Sequence, residues 1–452
     1  MGYKMFFILL LLTAGFTAQA AAGPGYPKDS IYKDMKRVAD WQWKQLDTHG
    51  WADDQKDWTN GVLYTGMTAW ARLSGDKTYD RLIGIGKENQ WQIGKNRFFA
   101  DDYCIGQTYV QLYEIFKNPD YIRDFKSMAD SLVKIPHGEP LEWVNKIHLR
   151  EWAWCDALYM GPPALAYLTR ATGDQKYFDT AVKLWWKSSR HLYDEQEHLF
   201  FRDSRYFDQK EKNGTKVFWS RGNGWVIAGL ARLLSTMPDA HPEKKALLKQ
   251  YRELAARIIS LQQPDGSWHA SLLDPGAYPS KETSGTALFC YALSWGINSN
   301  ILSNDEYYPA VSKAWNALRT AVLPDGKLGF VQPKGASPDV VNEQSTDVYG
   351  VGAFLLAGTE MLKMELSKQP DVVFLKVNNP TAAMQNARKV SVSWSQIVSK
   401  VKGAAQKNLQ VVNALTGEVA PFKLEQQGGK ATLTFHTPVQ TGTLQYWLIK
   451  RS

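Results

Sequence analysis

The sequence predicts an all-α (α/α)6 barrel of six helical hairpins, followed by a small all-β domain. Three observations predict it. Six segments each open near a glycine at the head of a helix rich in small and apolar residues: Gly61, Gly106, Gly161, Gly224, Gly285 and Gly350. A polar turn and a second helix with a wetter face follow most of them. Near Gln369 the pattern gives way to short β-branched or alternating runs. Repetition at a fixed plan is the signature of stacked supersecondary units, although repetition alone also allows an open solenoid.

The repeats are 45 to 65 residues apart from one opening glycine to the next, enough for two ordinary helices and their loops. The turn is plainest in the segments Leu73 to Tyr79 and Ala171 to Tyr177, with Asn118 to Tyr121 a looser copy. In each plain copy Gly ends the first helix, Asp caps the second, and Tyr begins its buried stripe. The helical period shows in Val226, Ile227, Leu230, Leu233 and Leu234, which share one face at three- and four-residue steps. Beyond Gln369, runs beginning at Asp371, Lys389, Leu409, Ala431 and Leu444 are divided by Gly, Asn and Pro and read as strands of a sandwich. The expected organisation is a leader at 1–20, a barrel at 21–368 and an accessory β domain at 369–452.

The leader has Lys4 as its positive end, an apolar run from Met5 to Leu12, and Ala18-Gln-Ala20 as a small-residue cleavage site, which predicts export to the periplasm. No later stretch reaches the roughly 20 apolar residues that span a bilayer, so no membrane partner is expected. Three cysteines, Cys104, Cys155 and Cys290, are too few for a disulfide framework. The formal charge of +8 falls to +7 without Lys4, and the basic residues are scattered, which suits an acidic ligand and not a nucleic acid. The 18 Trp and 21 Tyr residues fit sugar-ring platforms or an aromatic core. No metal cluster, phosphate-cradling loop or dinucleotide fingerprint stands out, so no metal and no cofactor is expected. Nothing in the sequence sets an oligomeric state.

Inner helices of a ring bring their N-termini to one rim, so residues just upstream of each opening glycine converge in space. Those positions hold Trp58 and Asn60, Asp101 and Asp102, Trp154 and Asp156, Trp219 and Arg221, the segment from Glu282 to Ser284, and that from Ser345 to Asp347. Asp156 stands out, because it sits among tryptophans, a tyrosine and a methionine. A carboxyl in apolar company resists ionisation, which is how a general acid is kept protonated near neutral pH. Its plainer role is to cap the helix that follows. Cys155 has no histidine beside it in sequence and reads as packing.

Four motifs carry a resemblance. Trp154 to Gly161, Asp101 five residues ahead of Gly106, Phe218 to Trp225, and Ser345 to Phe354 resemble, in order and spacing, the unsaturated rhamnogalacturonyl hydrolases of glycoside hydrolase family 105, relatives of the unsaturated glucuronyl hydrolases. The likeness runs from about Trp58 to Glu360 and implies an (α/α)6 barrel. It further implies removal of a 4,5-unsaturated uronic acid from the non-reducing end of lyase-generated oligosaccharides, by acid-catalysed hydration of the C4=C5 bond. On this resemblance the proton donor is Asp156 and the second acid Asp101, with Asp102 an open alternative. Arg221 matches that family's Arg in a Trp-x-Arg motif and would grip the substrate carboxylate, a task a guanidinium performs with two parallel hydrogen bonds. Lys146 falls where that family has a basic residue, and Arg202 stands where a relative has histidine. Trp154 and Trp225 are expected as sugar platforms, with Trp58, Asn60 and Trp219 beside them. The galacturonyl or glucuronyl nature of the substrate stays open between pectin, rhamnogalacturonan and arabinogalactan sources.

Two other classes fit the same barrel. A sugar 2-epimerase needs facing bases at the rim, yet His148, His191, His198 and His269 do not head the inner helices. A non-catalytic glycan-binding protein would bind oligosaccharide without turnover.

Overall fold

The structure, a computed structural model, describes residues 28–96, 98–379 and 383–452. The leader at 1–20 lies outside the described residues. The helices are α1 (Lys28–His49), α2 (Trp58–Ser74), α3 (Thr78–Glu88), α4 (Cys104–Phe116), α5 (Asp120–Val133), α6 (Ala157–Met160), α7 (Pro162–Thr172), α8 (Gln175–Leu192), α9 (Ser220–Leu234), α10 (Lys244–Ser260), α11 (Thr283–Asn298), α12 (Asn304–Thr320) and α13 (Val348–Ser367). Among the described residues no helix is long and apolar enough to cross a membrane.

The predicted turns form for the predicted reasons. Gly75 and Gly173 end α2 and α7 with φ of 63° and 76°, a left-handed backbone that costs glycine least. Asp174 accepts from the Lys176 amide to cap α8, and Asp76 does the same for Thr78 at the head of α3. Tyr79 and Tyr177 then enter the core. The looser third copy differs at its stop, where Lys117 takes the left-handed position that glycine holds elsewhere.

Helices α2, α4, α7, α9, α11 and α13 pack each against the next, and α13 returns to α2. Every residue of α9 is buried, because neighbours surround it on all sides. The helices α3, α5, α8, α10 and α12 lie outside their predecessors. The outer helix against α13 is α1, from the opposite end of the described chain. The chain leaves α13 for the β domain, so the last inner helix has no successor to cover it.

The third repeat opens with a break. Gly161 separates α6 from α7, since a Cβ there would sit 2.3 Å from the Trp152 ring, and Pro162 and Pro163 start α7 where no intrahelical N–H is needed. Two short hairpins sit in the rim loops: β1 (Tyr193–Asp194) with β2 (Leu199–Phe200), and β3 (Trp268–His269) with β4 (Lys281–Glu282).

The C-terminal region holds β5 (Val373–Asn378), β6 (Gln385–Ser393), β7 (Leu409–Asn413), β8 (Val419–Ala420), β9 (Phe422–Gln427), β10 (Lys430–Val439) and β11 (Leu444–Arg451). They form antiparallel sheets of order β6-β10-β9 and β5-β11-β7-β8. Strand β11 divides its faces by the two-residue period: Trp447 and Ile449 fill the space between sheets, while Tyr446 and Leu448 join the helical core. The region is not all-β. A helix, α14 (Trp394–Lys400), capped by Ser393, places Ile397 in the sheet core.

Candidate active site

Just upstream of α4 and α6, two loop segments bring Asp101 and Asp156 to one cavity of about 320 Å³, whose wall also includes Trp58, Trp154, Met160, Arg202, Lys334 and Gly335. That volume lies at the small end of ligand-binding clefts. Of the two adjacent acids, Asp101 faces the cavity. Asp102 turns away, accepts a hydrogen bond from the Asn96 amide at 2.6 Å and packs on Gly94.

Asp156 precedes α6 yet makes no side-chain capping bond, so the plainer role considered for it is not the one it has. Burial holds its carboxyl above the usual carboxylate range, opposed by the charges of Arg202 and Arg221 and by a hydrogen bond from the Cys155 thiol at 3.3 Å. Burial and then the charge of Asp156 push the Cys155 thiol well above its ordinary value, so it is neutral and donates. Asp101 is raised still more firmly, by burial and by the like charge of Asp156, with Arg202 pulling the other way. The like charge of Asp156 thus adds to burial in keeping the proton on Asp101 at a pH where free aspartate has lost it.

Arg202 is the cation nearest this pair. Its Nε lies 3.8 Å from Asp156 Oδ2, its Nη1 donates to Asp203 at 2.6 Å, and Nε itself has no hydrogen-bond partner. Its guanidinium lies 4.7 Å from the Trp143 ring centroid. An open donor beside an acid at the cavity wall is well placed to receive a ligand oxygen. Lys334, from the loop between α12 and α13, was not singled out in the sequence. It reaches Asp53 at 2.9 Å and Asp57 at 3.2 Å, and lies 5.9 Å from the Trp58 ring centroid.

Of the expected sugar platforms, Trp58 and Trp154 reach the cavity wall. Trp58 stacks on Tyr349 at 5.1 Å and Trp154 on Phe99 at 5.5 Å, which fixes both rings. The other expectations are corrected. Trp225 is fully buried between Trp58 and Tyr159, and Trp219 is buried with its indole N–H given to Gln332 Oε1 at 2.9 Å. The Asn60 amide donates to the Asp54 carbonyl at 2.9 Å and so ties down the loop before α2. Lys146 is exposed beside the turn Ile147–Leu149, outside the cavity wall.

Arg221 also differs from expectation. It is fully buried and donates to the Gln332 carbonyl at 2.6 Å, the Tyr349 hydroxyl at 2.9 Å and the Pro333 carbonyl at 3.0 Å, between the rings of Trp219 and Tyr349. Its terminal donors are spent on the loop that carries Lys334 and Gly335. It therefore shapes the wall from behind. Lys334 gave no signal in sequence because its loop follows an outer helix, not the head of an inner one.

The arrangement can deliver a proton, accept one back, and hold an anionic group against Arg202. Comparison with known proteins places the chain in context. The model of Glycosyl Hydrolase Family 88 matches residues 34–365. An unsaturated 3S-rhamnoglycuronyl hydrolase of Alteromonas sp. (strain LOR) is 36% identical over 361 residues, which cover 74% of this chain and 87% of that protein. A protein of the same description from Formosa agariphila is 35% identical over 380 residues, covering 80% and 98%. The solved structure of a glycosyl hydrolase family 88 protein from Bacteroides vulgatus superposes with a TM-score of 0.67 at 31% identity, covering 75% of this chain and 99% of that one.

Proposed function

The chain belongs to Glycosyl Hydrolase Family 88, and from that premise we propose how its cavity works and on what. It is a glycoside hydrolase that removes an unsaturated uronic acid from oligosaccharides. The finer reading is a 4,5-unsaturated uronyl unit at the non-reducing end, joined to rhamnose. Both the motif resemblance and the names of the two curated relatives carry rhamnose, which supports that aglycone.

An unsaturated uronide is an enol ether. Protonation at C4 draws the alkene electrons into the new C4–H bond and leaves C5 electron-poor, where oxocarbenium character develops with the ring oxygen. Water adds at C5 and loses a proton, and the hemiketal opens to a ketone as the C1 hemiacetal expels the aglycone. Asp156 gives the proton to C4 and, once ionised, accepts one from water. Its carboxyl is raised by burial but tempered by Arg202, which brings it toward the working pH where a group can both give and take. Asp101 holds its proton too firmly to shuttle it, and donates a hydrogen bond to a sugar hydroxyl. Arg202 and Lys334 receive the uronate carboxylate, while Trp58 and Trp154 flank the ring. The attacked carbon is not the anomeric one, so carboxylate separation does not predict a stereochemical outcome.

The observation that carries this reading is the shared placement of Asp101 and Asp156 in one cavity beside the open Nε of Arg202. The test is a panel of lyase-generated disaccharides, unsaturated and saturated, galacturonyl and glucuronyl, followed by loss of the alkene's ultraviolet absorbance. Cleavage of the saturated ends at comparable rates would overturn the hydration mechanism.

The six inner and six outer helices are read as an (α/α)6 barrel, for which the cyclic order of inner contacts is the support. Domain limits at 21–368 and 369–452, and export to the periplasm, remain readings of the sequence.

A further inference from the structure

We propose that the enzyme carries a second, anion-binding site at the end of the helical ring opposite the active site, roofed by the β domain. A cavity of about 370 Å³ lies there, between the last turns of the inner helices and strands β5 and β11. Its wall includes Arg72, Arg170, Arg232, Lys363 and Lys376, against a single acid, Glu360. Two of the cations are already matched: Arg170 is clasped by Glu114 at 2.5 Å and Lys363 reaches Glu360 at 3.2 Å. Arg72, Arg232 and Lys376 form no ion pair among the described residues.

Arg232 makes the strongest case. It is 96% buried, since its relative exposure is 4%, and its Nε donates to Gln107 Oε1 at 2.7 Å. Its Nη2 has no hydrogen-bond partner. A buried guanidinium donor left open costs desolvation energy unless something fills it. The last turns of α2, α7 and α9 place negative helix ends here and by themselves favour cations. A cation serving only that purpose would donate to last-turn carbonyls, whereas Arg232 bonds a side chain and keeps a donor free. Beside it, burial and then the like charge of Lys363 hold the Lys376 amine below the ordinary lysine value, with Glu360 pulling the other way.

The cavity is separate from the catalytic one. Thr65 and Tyr159 join hydroxyls at 3.1 Å across the ring's interior, and Tyr159 packs on Trp225, which in turn packs on Trp58 at the catalytic wall. Tyr167, Tyr291 and Tyr446 add hydroxyls and ring faces to the far wall. Cations with aromatic and hydroxyl neighbours suit an oxyanion borne on a sugar, and the shared chemistry is that of a carboxylate or sulfate group.

The test uses the full chain, with glucuronate, inorganic sulfate and chloride as probes at matched ionic strength, read by calorimetric titration and by melting temperature. Glucuronate or sulfate should bind and stabilise the protein where chloride does not, because a ligand held only by the native state raises stability. Glucuronate alone binding marks a sugar-acid site, and both binding marks a general oxyanion site. Arg72→Met with Lys376→Met should weaken that affinity at least tenfold while turnover is kept, and Arg202→Met, at the catalytic cavity, should leave it unchanged. Arg232→Met is the more direct change but removes a buried group, so the double variant keeps the test decisive if Arg232→Met does not fold. Binding that survives the double variant, binding lost with Arg202→Met, or no response beyond that of chloride each overturns the proposal.

Discussion

Arg202 Nε stands 3.8 Å from the Asp156 carboxylate with no hydrogen-bond partner of its own. The pair sets both where the substrate's charge goes and how readily Asp156 gives up its proton. Arg202→Met removes a positive charge that lowers the pKa of Asp156 and of Asp101. Both carboxyls then rise further, so the alkaline limb of the kcat/KM profile should move to higher pH. Loss of the carboxylate's partner should cut kcat/KM by about 10²-fold. An unchanged alkaline limb would separate Arg202 from the acid's titration.

Asp156→Asn keeps shape and removes the transferable proton. Turnover of the unsaturated disaccharide should fall by about 10²–10⁴-fold, the usual worth of a positioned acid–base group. Binding measured calorimetrically should stay within a few-fold of the wild type. Retained turnover would move the proton donor elsewhere, with Asp101 the next group to replace.

Asp101 links catalysis to stability. Burial raises its pKa in the folded state, so the native protein holds this proton more tightly than the unfolded chain does. That advantage is complete below the unfolded carboxylate value of about 4 and is lost as pH climbs through the folded value. Asn at this position cannot ionise and escapes the loss. Asp101→Asn should therefore be more stable than wild type at about pH 8 and gain little at about pH 4. Urea titrations at the two pH values measure the difference, and an equal gain at both would rule out ionisation as its cause.

The convergence of Trp58, Asp101, Trp154 and Asp156 was legible because a residue just ahead of an inner helix must lie at the rim, whatever its distance in sequence. What such a position does not reveal is the direction of the side chain. Trp219, Arg221 and Trp225 sit in or beside the first turn of α9, yet that turn aims them at Tyr349, Gln332 and Tyr159, into the wall. Arg202 and Lys334 come from loops whose path is set by contacts distant in sequence, so only Arg202 was noticed, because it stands where a relative has histidine. In the β domain, Ser393 stops one strand and caps α14, a reversal hidden by the β-branched run before it.

Arg221 is a positioning residue, and its loss should be read in two quantities. Arg221→Met leaves the Gln332 and Pro333 carbonyls and the Tyr349 hydroxyl without their shared donor. The Tyr349 hydroxyl still donates to the Gln332 carbonyl, so the Pro333 carbonyl loses most, and a buried acceptor left unpaired costs about 1–3 kcal/mol at most sites. The loop carrying Lys334 should loosen, so KM should rise more than kcat falls, and limited proteolysis should find residues 332–335 first. Arg221→Lys should recover less than half of the lost stability, since one ammonium cannot replace the guanidinium's fixed fork of donors to three acceptors. A kcat effect with KM unchanged would return Arg221 to the chemistry itself.

The seam between α2 and α13, where the first inner helix meets the last, rests on two glycines. A Cβ on Gly66 would fall 2.2 Å from the Gly352 carbonyl oxygen, and one on Gly352 would fall 2.3 Å from the Val62 carbonyl oxygen. Backbone cannot swing aside as a side chain can, so Gly352→Ala must part the helices. It should cost about 1–3 kcal/mol or more, as overpacking does, despite alanine's better helix propensity. Parting them also pulls Trp58, at the head of α2, from its stack on Tyr349 of α13, so activity should fall together with stability. Gly84→Ala in the outer helix α3 is the control, for its Cβ would meet nothing within 4 Å. That change should stabilise by about 0.4–1 kcal/mol through the unfolded chain's lost freedom. Urea midpoints moving in opposite directions for the two alanines are expected of a ring held shut at this seam, whereas a neutral Gly352→Ala would mean that α2 and α13 separate freely.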